Sequence, residues 1–232
     1  MADSSLFDTG KAARFTQQMD DVVISDRAYN ATIGGVVLWG ILVNVFMCLF
    51  CVNAIMAISP IALLIGYFVC AFGGTWIVRA SHHPIVSFVG YNLVVLPFGA
   101  LLSLIVTVYT RVYGSYIIAE AFGMTAAVVV IMLCLGALFP QFFLNMGPAL
   151  AVTLLLLIIV EGICSIFSLA TSGCALIGCA LFSLYIAYDW VRANSYVHTL
   201  DNAVDSACDI YMDIINLFLR ILQILGRSSL RN

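Results

Sequence analysis

The sequence has few charged residues, and they are unevenly distributed along the chain. Only 9% of the 232 residues are Asp, Glu, Lys or Arg, whereas a soluble domain carries about 25%. Residues 31–190 contain five charges, against eight in residues 1–30 and eight in residues 191–232. This scarcity excludes a soluble globular domain and a disordered chain. Nine Lys and Arg residues are also too few to follow a nucleic-acid backbone, so no nucleic-acid partner is expected.

The first thirty residues lack the apolar core of a signal peptide. We therefore expect residues 1–30 to form a polar, mobile arm outside the membrane. Residues 31–226 are expected to form the transmembrane domain, and residues 227–232 a short tail.

The eight cysteines lack the spacing of a disulfide framework, since nearly all of them fall inside apolar runs. Cys48 and Cys51 have CxxC spacing, but both lie where lipid or neighbouring helices are expected. We interpret the cysteines as small apolar packing residues.

Apolar residues, by contrast, make up 63% of the chain. A membrane-spanning helix needs about 20 consecutive apolar residues. The chain contains seven such runs, and the short loops between them require antiparallel neighbours. The sequence thus predicts an all-α membrane protein with a seven-transmembrane-helix bundle in contact with the lipid bilayer. The runs are about 31–57, 61–79, 85–109, 115–139, 147–169, 173–191 and 205–226.

The distribution of Lys and Arg near the ends of the runs predicts the orientation, because cytoplasmic loops carry an excess of these residues. With seven spans, the N-terminal side gathers five of them and the opposite side three. A cytoplasmic N-terminus is therefore favoured by a small margin. The five are Lys11, Arg14, Arg27, Arg79 and Arg192, and the three are Arg111, Arg227 and Arg231.

Ionisable side chains within the predicted spans are costly there and often mark a functional site. Asp189 and Asp213 lie on consecutive spans, each twelve residues from a turn near residue 201, so we expect them at similar depth. Two carboxylates facing each other in low dielectric share a proton and respond to pH. When both are ionised they are ligands of the type that Ca²⁺ prefers. The alternative is that each aspartate only caps or hydrogen-bonds a neighbouring helix.

Four aspartates at intervals of four residues lead into the last span: Asp201, Asp205, Asp209 and Asp213. Like charges at this spacing share one helix face and destabilise the helix slightly. One explanation is a funnel that attracts cations. The other is that acids are favoured near a helix N-terminus, which accounts for Asp201 and Asp205 but not for Asp213.

The remaining candidates are Glu120, Glu161 and Arg79. The two glutamates could pair with each other, line a water-filled passage or bond a neighbouring backbone. Arg79 is either an interfacial anchor or a partner of Asp189 on the same predicted side of the membrane. His82, His83 and His198 lack metal-ligand spacing and are interpreted as interfacial loop residues.

Catalytic motifs are missing from the sequence, which contains no HExxH, GxSxG or Walker sequence. Tyr188-Asp189 matches half of the signature of an intramembrane aspartyl protease, but Tyr211-Met212-Asp213 lacks the glycines of the other half. We expect the protein not to be an enzyme.

Three blocks of sequence resemble the Bax inhibitor-1 family of bacterial type. They are Ile118–Thr125, Phe182–Asp189 and Ile210–Leu219, the last followed by Leu225-Gly226. The stretch from Gly90 to Pro97 is similar as well.

The resemblance implies six helices around a central C-terminal helix and a pH-sensitive Ca²⁺ leak, without a tightly bound cofactor. It assigns the sensing pair to Asp189 and Asp213, the family glutamate to Glu120 and the latching arginine to Arg79. On this interpretation, protonation of the pair changes its hold on Arg79 and opens a passage past Glu120 or Glu161. Asp205 and Asp209 are further candidates for the ion pathway.

The expected location is the bacterial cytoplasmic membrane. Some members of the family instead modulate a membrane-bound protease, so an integral-membrane modulator without transport activity is the alternative to the leak.

Overall fold

The computed structural model describes residues 22–167 and 172–229, and within them the chain is almost entirely helical. The predicted arm lies outside the described residues up to position 21. The nine α-helices of the described residues are α1 (Asp26–Phe46), α2 (Val52–Met56), α3 (Pro60–Ala80), α4 (Pro84–Tyr113), α5 (Tyr116–Leu138), α6 (Pro140–Leu144), α7 (Gly147–Ile166), α8 (Ser172–Ala193) and α9 (Leu200–Ser229). A π-helical turn, Met47–Cys51, joins α1 to α2. The predicted all-α membrane class is confirmed.

The helix boundaries follow capping residues and prolines. The Ser25 hydroxyl accepts a hydrogen bond from the Ala28 amide at 3.3 Å and caps α1. Ser59 caps α3 in the same way, and Pro60 occupies its first turn, where a missing amide hydrogen costs nothing. Gly114, at φ 88°, follows α4 in the left-handed conformation that favours glycine.

Six helices of the described residues are long and apolar enough to cross a membrane. Their outer surfaces are apolar, as the 73% exposed side chains of Phe72 and Trp76 illustrate. The six are Asp26–Met56, Pro60–Ala80, Pro84–Tyr113, Tyr116–Leu138, Gly147–Ile166 and Gly173–Ala193. They correspond to the first six predicted runs, although the first helix starts at Asp26, inside the predicted arm.

The seventh predicted run corresponds to α9, which is not apolar enough to be counted with the six. Its four aspartates and two arginines lower its hydropathy. It is nevertheless buried, and no side chain between Asp201 and Leu222 is exposed.

The chain divides into two compact units, which are described separately. Unit 1 comprises Met1–Thr107 and Ala193–Asp209, and unit 2 comprises Val108–Arg192 and Ile210–Asn232. In unit 1, α3 and α4 pack at Gly74 and Gly90, where an added Cβ would lie 2.6 Å and 2.9 Å from the other glycine's carbonyl oxygen. In unit 2, α7 and α8 enclose a core of Leu150, Leu157, Cys174 and Leu181.

The segment before α1 is held in unit 1 rather than projecting from it. The Ile24 amide donates to the His198 carbonyl at 2.8 Å, and Val23 forms an isolated β-bridge with Thr199. The His198 ring stacks on Tyr29 at 4.3 Å, and its Nδ1 lies 2.9 Å from Asp26 Oδ1. The arm was expected to extend to residue 30, whereas in the structure residues 26–30 belong to α1 and Val23 and Ile24 contact Thr199 and His198.

Candidate functional site

Three of the four aspartates of α9 are buried. The exposed fraction is 7% for Asp201, 2% for Asp205 and 8% for Asp213. Burial of an ionised carboxylate is costly unless a donor or a counter-charge compensates it. The donors and counter-charges near these carboxylates are therefore described next, because they decide whether each carboxylate is stabilised in its ionised form.

In unit 1, two aspartates of α9 contact side chains of neighbouring helices. The Ser87 hydroxyl donates to Asp201 Oδ1 at 2.7 Å, and both residues are buried. Arg79, in the last turn of α3, places Nη2 3.6 Å from Asp209 Oδ1. This ion pair is long and open to solvent on one side, because the Arg79 side chain is 59% exposed.

The sequence left Arg79 as either an interfacial anchor or a partner of Asp189. In the structure Arg79 is largely exposed and forms an ion pair with Asp209. Asp209 precedes Asp213 by four residues on α9, which is about one helical turn. The arginine is therefore linked to the predicted pair through the helix that carries Asp213.

In unit 2, Asp189 and Asp213 share a neighbour. The phenol of Tyr185 on α8 interacts electrostatically with both carboxylates. Asp189 also lies near Arg192, with 3.9 Å between Oδ1 and Nη1, and the Arg192 guanidinium lies 5.8 Å from the centre of the Tyr188 ring. Both predicted residues lie within electrostatic range of one phenol, and their role as a pH sensor stays a prediction.

Glu161 forms a bidentate ion pair with Arg220. Both terminal nitrogens of Arg220 donate to the two oxygens of this carboxylate, and the contact from Nη2 to Oε2 is 2.8 Å. The two side chains are 16% and 27% exposed. Gly178 provides the room, because a Cβ there would lie 2.8 Å from Arg220 Nε.

Pairing of Glu161 with Glu120 was one of three alternatives that the sequence left open, and the structure gives Glu161 a different partner. Glu161 is engaged by Arg220, and Glu120 is exposed in the second turn of α5. The sequence reasoning missed Arg220 as a partner. A usable signal was present, since Glu161 is the only charge in α7, and opposite charges on apolar helices pair with each other.

No group of three or more His, Cys, Asp or Glu in the described ranges is arranged to hold a metal ion. Ca²⁺ takes six to eight oxygen ligands, so Asp189 and Asp213 would supply only part of a coordination shell. His82 and His83 are exposed, as expected of loop residues. All eight cysteines, each of them in the described ranges, are free thiols.

Comparison with known proteins identifies the family. The family described as "inhibitor of apoptosis-promoting Bax1" matches residues 23–229. The chain belongs to the Bax inhibitor-1 family. The match covers nearly all described residues, and every candidate residue named in this subsection lies within it.

Individual relatives are similar over part of their length. An uncharacterized protein of Helicobacter pylori strain 26695 is 33% identical over 118 residues, which is 49% of each chain. An uncharacterized protein of Campylobacter jejuni is 32% identical over 133 residues, or 55% of each chain. The chain spans about half the length of the curated relatives it matches.

As a Bax inhibitor-1 family member, the protein is an integral membrane protein with at least six apolar helices in its described part. Four of the eight acidic residues in the described ranges lie on α9, which is largely buried. This combination is unusual for a helix that serves only to pack, because each buried carboxylate needs compensation.

Proposed function

We propose that this Bax inhibitor-1 family protein is a pH-sensitive, calcium-permeable leak in a bacterial cytoplasmic membrane. The sensor in this proposal is the pair Asp189 and Asp213, and protonation of the pair opens the leak. The observation that carries the proposal is the burial of both carboxylates, since Asp213 is 8% exposed and the Asp189 side chain is 12% exposed. In this proposal the two poorly hydrated carboxylates face each other, so they share protons and respond to pH as a pair.

The coupling from the sensor to the rest of the protein runs along α9. Asp213 belongs to the sensor, and Asp209, one turn earlier, pairs with Arg79 of α3. The long contact and the exposed guanidinium make this ion pair weak. A shift of α9 that follows protonation of Asp213 therefore needs little free energy to separate Arg79 from Asp209.

The ion pathway in this proposal uses the acidic side chains that remain. Asp205 is buried in unit 1 and belongs to the same stripe as Asp209. Glu120 is exposed near the start of α5, where it can attract cations. Glu161, which the sequence also suggested for the pathway, is held by Arg220 and acts in this proposal as a structural anchor.

The proposed location and orientation have separate support. The named relatives come from bacteria. With α9 as a seventh span, Lys and Arg are more frequent on the side of the N-terminus, which favours a cytoplasmic N-terminus.

The test is Ca²⁺ influx into dye-loaded liposomes that contain the purified protein, measured from about pH 6 to about pH 8. We expect a flux that increases toward acidic pH and a flat profile in Asp213→Asn and Asp189→Asn. Asp8→Asn is the control, because Asp8 lies before residues 23–229, which match the family. An unchanged profile in Asp213→Asn would exclude the sensor. No flux above empty liposomes at any pH would exclude the leak and favour a modulator of a membrane protease.

A further inference from the structure

One buried side chain of α1 links the end of α8 to the start of α9. The Tyr29 hydroxyl donates to the carbonyl of Ala193, the last residue of α8, at 3.0 Å. It also lies 3.3 Å from Ser206 Oγ in the second turn of α9. Tyr29 is fully buried, and all three residues belong to unit 1. The two helices that Tyr29 links are the ones that carry the aspartates of the proposed sensor.

The connection between α8 and α9 contacts the same part of the chain. The Ile24 amide donates to the His198 carbonyl at 2.8 Å. The His198 ring stacks on Tyr29, with 4.3 Å between the ring centres and 12° between the ring planes. His198 Nδ1 lies 2.9 Å from Asp26 Oδ1. We call the contacts of Ile24, Asp26 and Tyr29 with Ala193, His198 and Ser206 the N-terminal clasp.

His198 gives the N-terminal clasp a dependence on pH. A histidine side chain gains a proton between about pH 8 and about pH 5. The protonated ring forms an ion pair with Asp26 and is attracted to the face of the Tyr29 ring. When the ring is neutral, a hydrogen bond to Asp26 and the ring stacking remain, without the attraction between opposite charges. The clasp is therefore tighter at acidic pH and looser as the pH rises.

The charged groups of the neighbouring elements do not take over this role. From α1, His198 is faced by Asp26 and Tyr29. On α9 the first acid is Asp201, which accepts a hydrogen bond from a buried serine of α4. On α8 the last base is Arg192, which lies 3.9 Å from a carboxylate of its own helix. The change of charge near neutral pH therefore falls on His198.

We propose that the N-terminal clasp is a pH-sensitive restraint on α8 and α9, which protonation of His198 tightens. In the orientation proposed above, the clasp lies on the cytoplasmic side of the membrane and responds to cytoplasmic pH. Because the Asp26 side chain is 87% exposed, its ion pair is modest. It changes the equilibrium between the closed and the open clasp by at most about fivefold.

A consequence for transport rests on the proposed function. The clasp holds the end of α8 and the start of α9 in place, which opposes the shift of α9 that opens the leak. Since the clasp tightens in acid, it limits the influx of Ca²⁺ under the conditions in which the sensor opens the leak. Loss of the clasp should therefore increase the influx at acidic pH.

The experiment measures amide hydrogen exchange of the full chain in lipid nanodiscs at about pH 6 and about pH 8, corrected for the intrinsic exchange rate at each pH. The amides from Ile24 to Tyr29 should be protected more strongly at the lower pH, by up to about fivefold. Asp26→Asn keeps a hydrogen-bond acceptor but removes the charge, so it should lose most of this difference. His198→Phe keeps a ring for stacking but cannot be protonated, so it should lose all of it.

His82→Gln is the matched control, because it removes an exposed histidine of the connection between α3 and α4. This variant should retain the difference in protection. Equal protection of the unaltered protein at both pH values would overturn the proposal. An undiminished difference in Asp26→Asn would do so as well, because it would assign the pH dependence to another group, such as the Asp189–Asp213 pair.

The flux assay tests the consequence for transport. Asp26→Asn should increase Ca²⁺ influx at about pH 6 by up to about fivefold and leave it nearly unchanged at about pH 8. Influx that does not increase at the lower pH would overturn the restraint on transport. Absence of flux in every variant would instead count against the proposed leak, whereas hydrogen exchange would still decide whether the clasp responds to pH.

Discussion

Two arginines of this protein pair with carboxylates in opposite ways. In unit 2, Arg220 donates from both terminal nitrogens to Glu161, and its side chain is 16% exposed. In unit 1, Arg79 approaches Asp209 with one nitrogen at 3.6 Å, and its side chain is 59% exposed. Bidentate pairing in a poorly hydrated place fixes the geometry of both partners. A single long contact that faces solvent contributes little and separates readily.

This difference in geometry and exposure indicates that Arg220–Glu161 is a structural ion pair and that Arg79–Asp209 is suited to regulation. Elements that move during function belong to the less stable parts of a protein. Arg79–Asp209 meets this condition, whereas separation of Arg220 from Glu161 would leave two poorly solvated charges without compensation. We therefore expect variants of Arg220 to affect folding, and variants of Arg79 to affect the response to pH.

The largest expected effect is that of Arg220→Ala. Removing Arg220 leaves the poorly hydrated Glu161 carboxylate without compensation, which should cost more than the roughly 0–1 kcal/mol of an exposed ion pair. The midpoint of thermal unfolding in detergent should therefore fall markedly, and Glu161→Gln should lower it as well.

Arg111→Ala is the matched control for Arg220→Ala. Arg111 lies in the last turn of α4 and is exposed, so its removal should change the midpoint little. If Arg220→Ala were no more destabilising than Arg111→Ala, the Glu161–Arg220 pair would not be structural, and the contrast between the two arginines would disappear.

A smaller effect is expected for Gly178→Ala. The new Cβ would lie 2.8 Å from Arg220 Nε and 3.0 Å from its Cδ. Arg220 cannot move aside without loosening its bonds to Glu161, so we expect a destabilisation of about 1–3 kcal/mol. The same unfolding measurement tests this.

Gly173→Ala serves as the control on the same helix, because a Cβ at Gly173 would meet nothing within 4 Å. The effect should also depend on the ion pair. In a Glu161→Gln background Arg220 is less constrained, so Gly178→Ala should cost less there. Equal costs in both backgrounds would show that the glycine is needed for another reason.

The fold was predictable where the length of an apolar segment alone determines a helix. Runs predicted at 61–79 and 115–139 correspond to helices Pro60–Ala80 and Tyr116–Leu138, because membrane spans need long apolar segments. The run predicted at 205–226 corresponds to a longer helix, Leu200–Ser229. Its first turn was missed because Asp201 interrupts the apolar pattern, although an acid there suits a helix N-terminus.

The candidate site was less predictable, because pairing depends on how helices rotate against each other. Sequence spacing placed Asp189 and Asp213 at similar depth, and in the structure both lie within electrostatic range of Tyr185. Spacing alone did not distinguish Asp189 from Asp209 as the partner of Arg79. That choice depends on which residues of α9 face α3 in unit 1, and hydropathy carries no information about it.

The smallest effect on stability and the most specific effect on function are expected for Arg79→Ala. An exposed ion pair of this kind contributes about 0–1 kcal/mol, so the unfolding midpoint should remain close to that of the unaltered protein. If Asp209–Arg79 transmits protonation of Asp213, the pH dependence of Ca²⁺ flux should weaken, and Asp209→Asn should weaken it to the same extent. Arg79→Lys retains the charge and should preserve most of the dependence. A large loss of stability with an intact pH profile would show that Arg79 is an anchor like Arg220, and that the sensor acts through another part of α9.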